Sequence, residues 1–135
     1  MENTKWTFLF TGTFLFIVGL FNGFAIPFLP NSRIALSAHL AAIQGGMALL
    51  IFGAVWKHVH LNKFFSRMSV ALSIYGMYAT WVGLFLHATL GASQSPAQKT
   101  ALQVLIYSAA IAMIPPAFSI LAGLYAGRKA AIASK

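Results

Sequence analysis

Four apolar stretches, separated by short polar breaks, leave this chain little choice of fold: Trp6 to Leu29, Ile34 to Trp56, Met68 to Leu90 and Ala101 to Tyr125. Each reaches the roughly 20 residues that a helix needs to cross the hydrocarbon core of a bilayer. Inside hydrocarbon every backbone N–H and C=O must be satisfied within the protein, and continuous apolar runs of this length do so as helices. A chain with 59% hydrophobic and 7% charged residues and a mean hydropathy of +0.80 lies far from the usual soluble composition. The expected architecture is an all-α membrane protein, a bundle of four transmembrane helices forming a single domain over residues 1–135. Lys5 before the first stretch gives it a passing likeness to a signal peptide, but the apolar run is too long and no convincing A-x-A site follows.

The breaks set the orientation. Pro30, Asn31 and Ser32 read as a tight turn, Lys57 to Arg67 as a basic amphipathic connection, and Gly91 to Thr100 as a third loop. Lys5, Lys57, Lys63, Arg67, Arg128, Lys129 and Lys135 fall on one side of the implied membrane, and only Arg33 and Lys99 on the other. The excess places both termini in the cytoplasm of a multi-pass inner-membrane protein. The net charge of +8 gathers at helix ends, where anchoring to the anionic lipid of the bilayer accounts for it and nucleic acid is not needed.

Chemistry is narrowed by what the chain lacks. There is no cysteine and one acidic side chain, Glu2, so carboxylate pairs, thiolates and proton-carrying intramembrane acids are excluded. A small proton-coupled multidrug transporter, of similar length and helix number, needs such an acid. The polar residues inside the spans are then the candidates. Asn22, His39 and His87 lie toward the same end of the implied bundle, with Gln44, Tyr78, Thr80 and Trp81 somewhat deeper, and the opposite half reads as nearly blank. For Asn22, Gln44 and Thr80 two readings stand: hydrogen bonds that hold helices together, worth about 0.6 kcal/mol each, or contacts to a substrate.

His39 is the sharpest of these, because hydrocarbon cannot solvate an imidazole and some partner must. Small residues surround it in sequence: Ala35, Ala38, Ala42, Gly45 and Gly46 clear space in which something flat, or another helix, can approach. His39 and Gly46 are therefore the candidate cofactor-binding positions, with His39 as metal ligand, since neutral imidazole is a common iron ligand. The alternative is a histidine bonded to a carbonyl across a helix interface. His58 and His60 offer two ligands without a third and read as interfacial. Gly19-xxx-Gly23, Ala79-xxx-Gly83 and Gly123-xxx-Gly127 are stripes for close helix packing, and Pro115 and Pro116 interrupt the fourth span, freeing the carbonyls of Ile111 and Ala112. Tyr75, Tyr78 and Trp81 can form an aromatic wall.

Ser37-Ala38-His39-Leu40 followed by Gly46, Asn22 in the first span and Tyr75-Gly76-Met77-Tyr78-Ala79-Thr80-Trp81 in the third, on a four-helix chain of this length, resemble the hydroxylaminobenzene mutases, which are similar to the styrene oxide isomerases. The resemblance implies a membrane isomerase, a homo-trimer with haem b between subunits, His39 at the position of the axial ligand, and a small aromatic hydroxylamine as substrate. Asn22, Gln44, Tyr78 and Thr80 take the expected catalytic positions. Three departures stand out: Gly45 occupies the place of an asparagine six residues after the histidine, Thr80 the place of another in the third span, and the tyrosine that styrene oxide isomerases use near the substrate has no clear match, Tyr78 and Tyr75 both being open to the role. Gln44 precedes Gly45 but points about 100° away round the helix. The departures favour a hydroxylamine over an epoxide. The implied reaction transfers the N-hydroxyl oxygen to the ortho carbon, giving a 2-aminophenol with no net electrons exchanged. A di-histidine haem protein using His39 and His87, or a purely structural subunit, are the competing readings.

Reporter fusions test the orientation directly. Fusions at Asn62 and after Arg128 should report the cytoplasm and fusions between Gly91 and Thr100 the exterior; external labelling at Asn62 would reverse the assignment.

Overall fold

The computed structural model describes residues 2–133 and is helical throughout. Five α-helices follow one another: α1 (Glu2–Ala25), α2 (Ser32–Val55), α3 (Lys63–Leu90), α4 (Pro96–Ala112) and α5 (Ile114–Ala133). They make four segments long and apolar enough to cross a membrane, 3–28, 32–58, 63–90 and 96–133, because α4 and α5 share the last one. Lys135 of the basic tail and the side chain of Glu2 lie outside the described residues.

Helix starts come earlier than hydropathy alone places them, and capping explains why. The side chain of Asn31 accepts a hydrogen bond from the Ile34 N–H at 3.1 Å, so the turn ends at Asn31 and Ser32 is already helical. Asn62 does the same for Phe65 at 2.9 Å. Lys63 to Arg67 therefore belong to α3, not to the connection. Ser95 and Gln98 form a capping box ahead of α4, with Pro96 in the first turn, which shortens the third loop by five residues at its end, from Thr100 back to Ser95. Hydropathy misses these first turns because they are polar.

At one end of the bundle the 29–31 turn meets the end of α3. The Asn31 N–H reaches the Ala88 carbonyl at 3.4 Å, and Gly91, with φ of +55°, turns the chain where a Cβ would stand 2.9 Å from Pro30. At the other end the 56–62 connection folds onto α5, the His60 N–H donating to the Gly123 carbonyl at 3.0 Å. The Gly123-xxx-Gly127 stripe thus receives a loop rather than a helix. The fourth span breaks at Met113, whose N–H bonds to the Ala110 carbonyl at 3.3 Å, and α5 restarts with Pro115 and Pro116 in its first turn. There a missing amide costs nothing.

Packing is dominated by small residues. On α1 the buried positions Phe8, Gly12, Leu15, Gly19 and Asn22 repeat at alternating four- and three-residue steps, a seam of the kind that coils helices together. On α2 it is met by Ala35, Ala38, Ala42, Gly45, Gly46, Leu49 and Gly53. A Cβ on Gly46 would lie 2.6 Å from the Phe16 nitrogen, and one on Gly12 would lie 2.9 Å from the Gly46 carbonyl oxygen. The backbones are as close as they can come. Large apolar side chains, among them Phe10, Phe14, Phe21, Phe24 and Phe28, point outward instead.

Gly46→Ala should destabilise the fold by about 1–3 kcal/mol, because its new methyl meets backbone that cannot rotate away. Gly45→Ala should cost less, since a Cβ there meets side-chain atoms of Leu15 and Met77 at 3.2 Å. Thermal unfolding of the two variants in one detergent checks the order.

Candidate functional site

His39 stands on the second turn of α2, and its ring fills the space that Gly23 leaves open on α1. Its Nδ1 lies 2.7 Å from the Gly19 carbonyl oxygen, and a Cβ on Gly23 would meet the ring's Cε1 at 3.0 Å. A carbonyl can only accept, so Nδ1 is the donor, and in the neutral form of the ring the single proton sits there. Nε2 then carries the lone pair, and among the described residues it has no hydrogen-bond partner. A second hydrogen bond that fixes the tautomer is what a metal-bound histidine ordinarily has.

The donor set suits haem rather than a bare ion. Among the described residues no three of His, Cys, Asp and Glu gather, so a free metal ion would lack the three side-chain ligands of an ordinary site, whereas haem brings four nitrogens of its own. His87 is differently engaged. The Gln94 side-chain nitrogen donates to the His87 carbonyl at 3.0 Å, which fixes it as the amide NH₂, and lies 2.8 Å from His87 Nδ1. Nδ1 accepts there, and the ring proton is left on Nε2. His87 therefore offers no free lone pair.

The other candidates divide into two groups. Gln44 and Thr80 line one groove of about 330 Å³ between α2, α3 and the break at Met113, together with Gly45, Gly76, Met77 and Met113. A Cβ on Gly76 would lie 2.6 Å from the Met113 side chain, so glycine brings the break close to the groove floor. Thr80 donates to the Gly76 carbonyl at 2.7 Å and keeps its oxygen lone pairs for a ligand. Gln44 is exposed at the rim. An apolar groove with few polar groups is the usual form of a small-molecule site.

Tyr78 and Asn22 face elsewhere. The Tyr78 hydroxyl donates to the Thr11 carbonyl on α1 at 2.7 Å, and its ring meets Trp81 edge-on at 6.5 Å; Trp81 in turn stacks on Phe85. Tyr75 turns the opposite way and pairs with Ser108 at 2.8 Å, so the three aromatic residues form no single wall. Asn22 is buried in the α1 seam with its amide nitrogen unpartnered. Gly46 meets helix α1 rather than a flat group. Sequence reasoning missed Gln94, Met77 and Met113, and also Ser69 and Ser73, which are fully buried without partners in the half of α3 that read as blank. The bond from His39 to Gly19 is the carbonyl contact across a helix interface that the sequence offered as the alternative to a metal ligand, and the Gly19-xxx-Gly23 spacing marks where it forms.

Comparison with known proteins adds a family. The styrene oxide isomerase profile matches residues 4–128. Hydroxylaminobenzene mutase HabB of Ectopseudomonas oleovorans is 36% identical over 81 residues, 60% of this chain and 49% of that protein. Hydroxylaminobenzene mutase HabA of the same organism is 37% identical over 87 residues, 64% of each chain. The match thus covers under two thirds of either relative's own length. No solved structure matches the chain.

Selective ¹⁵N-histidine spectra should find His39 protonated at Nδ1 and bare at Nε2. The reversed tautomer would remove the ligand assignment.

Proposed function

The chain belongs to the styrene oxide isomerase family, and from that membership and the tautomer of His39 we propose a multi-pass inner-membrane isomerase that rearranges small arylhydroxylamines to 2-aminophenols. The observation that carries the reading is the Nδ1–H bond to Gly19, which leaves the Nε2 lone pair open to a metal inside an apolar bundle. The mutase names of the two relatives favour the hydroxylamine over the epoxide. The exposed apolar faces of all the spans and the six basic residues gathered at one end support the membrane setting and its orientation.

His39 would hold haem b, with the Gly23 gap letting its ring lie flat against α1. When bound, ferric haem supplies a Lewis acid that draws electron density from the N–O bond. The chain's own residues do the rest. The Gln44–Thr80 groove admits an aromatic ring from the lipid side and excludes bulk water, and Met77 and Met113 give it a polarisable apolar floor. Gln44 can donate to the departing oxygen, and Thr80 can accept from the substrate's N–H. The N–O bond breaks, a C–O bond forms at the ortho carbon, and the proton lost from that carbon balances the one gained at nitrogen. No external electrons enter.

His39 and Gln44 are five residues apart on α2, about 140° round the helix, so within one chain the ligand faces α1 and the groove faces α3. This separation favours a site completed between copies, and the homo-trimer itself rests on the family resemblance. The engagement of His87 with Gln94 weighs against a di-histidine haem.

Two measurements test the proposal. His39→Ala should abolish both Soret absorbance and turnover, while His58→Ala and His60→Ala retain them; full haem occupancy in the His39 variant would defeat the ligand assignment. Membranes carrying the protein should also convert hydroxylaminobenzene to 2-aminophenol anaerobically without added NAD(P)H. In ¹⁸O-water the product hydroxyl should stay unlabelled, and substantial label would mean that solvent attacks a free cation.

A further inference from the structure

The end of the bundle remote from His39 holds an open cavity of about 480 Å³ lined by His58, His60, Leu124, Gly127, Arg128 and Ala130, among others. It exists because the 56–62 connection lies on α5. The His58 carbonyl passes over Gly127 where any side chain would block it, and the His60 ring comes within 3.0 Å of the same point. Arg128, His58 and His60, all exposed, thus meet round one concavity. The chain cannot neutralise them, since nine lysines and arginines face a single acidic side chain, Glu2. An arginine fork with no carboxylate set against it suits a phosphate group.

What lies next to the cavity indicates which phosphate. Along α5, Leu121, Tyr125, Arg128 and Ile132 succeed one another at steps of four, three and four residues and share one face. Leu121 is 65% exposed and Tyr125 58% exposed, and Lys129 rests over the Tyr125 ring at 5.2 Å. The basic cavity therefore opens onto a bare apolar strip running along the span. Headgroup and acyl chain chemistry sit side by side.

We propose that this cavity binds the phosphate of an anionic phospholipid, with the headgroup among Arg128, His58 and His60 and an acyl chain along Leu121 and Tyr125. The site rests on the membrane reading and is independent of the isomerase chemistry, so its test does not use activity. Native mass spectrometry of the full chain released from detergent should retain one phosphatidylglycerol per chain, in preference by about tenfold to phosphatidylcholine with the same acyl chains, about 1.4 kcal/mol. Arg128→Gln with His60→Gln should lose that preference, whereas Lys63→Gln with Arg67→Gln, at the same end but outside the cavity, should keep it. Ala130→Trp, which fills the cavity without removing charge, should also lose it while retaining full helical circular dichroism. Equal retention of the two lipids, or unchanged retention in the Arg128/His60 and Ala130 variants, would overturn the site. Displacement of the lipid by equimolar inorganic phosphate would assign the cavity to a soluble anion and overturn the lipid.

Discussion

The structure depends on how closely two helix backbones can approach. A chain whose large apolar side chains point outward gains little cohesion from hiding hydrocarbon, because the surroundings it suits are as apolar as its own core. What remains is short-range dispersion and hydrogen bonding, and both fall away quickly with distance. Gly12, Gly19 and Gly46 let α1 and α2 touch main chain to main chain, with Gly19 set where a Cβ would stand 2.9 Å from the Ile43 nitrogen. Only at that separation can the His39 ring reach the Gly19 carbonyl. A methyl group at the seam would cost both the packing and the bond that sets the tautomer.

The polar groups are distributed by the same economy of space. Tyr75 joins α3 to α4 through the Ser108 hydroxyl, and the two groups that reach α1 end on backbone carbonyls: His39 on Gly19 and Tyr78 on Thr11. They fasten α2 and α3 to α1. Thr80 bonds within its own helix and Gln44 bonds to nothing among the described residues, and these two share a groove. The division separates groups that hold the bundle from groups left free to meet a small molecule. Tyr78 belongs to the first set, although its position in the sequence motif suggested the second.

Much of this was legible in the residues. The four spans, the seam glycines and the isolation of His39 follow from hydropathy and from the cost of an imidazole in hydrocarbon. Helix starts were not, because Asn31, Asn62 and Ser95 extend the helices through polar turns that hydropathy counts as loop. The partner of Gly123 and Gly127 was also hidden: a small-residue stripe records that something approaches, and not whether it is a helix or a loop. The fate of Gly46 was open for the same reason. The separation of Gln44 from His39 could be computed from helical geometry, but which of those two faces met α1 required the fold.

The bond between His39 and Gly19 also has a consequence in time. Both partners belong to the first helical pair, so during synthesis they leave the ribosome ahead of α3, α4 and α5. The nitrogen that would ligate iron is oriented by a hairpin alone, whereas the groove waits for α3 and for the break at Met113 that closes its floor. Assembly of the bundle thus has a built-in order, in which the His39 ring is oriented early and the groove is finished last.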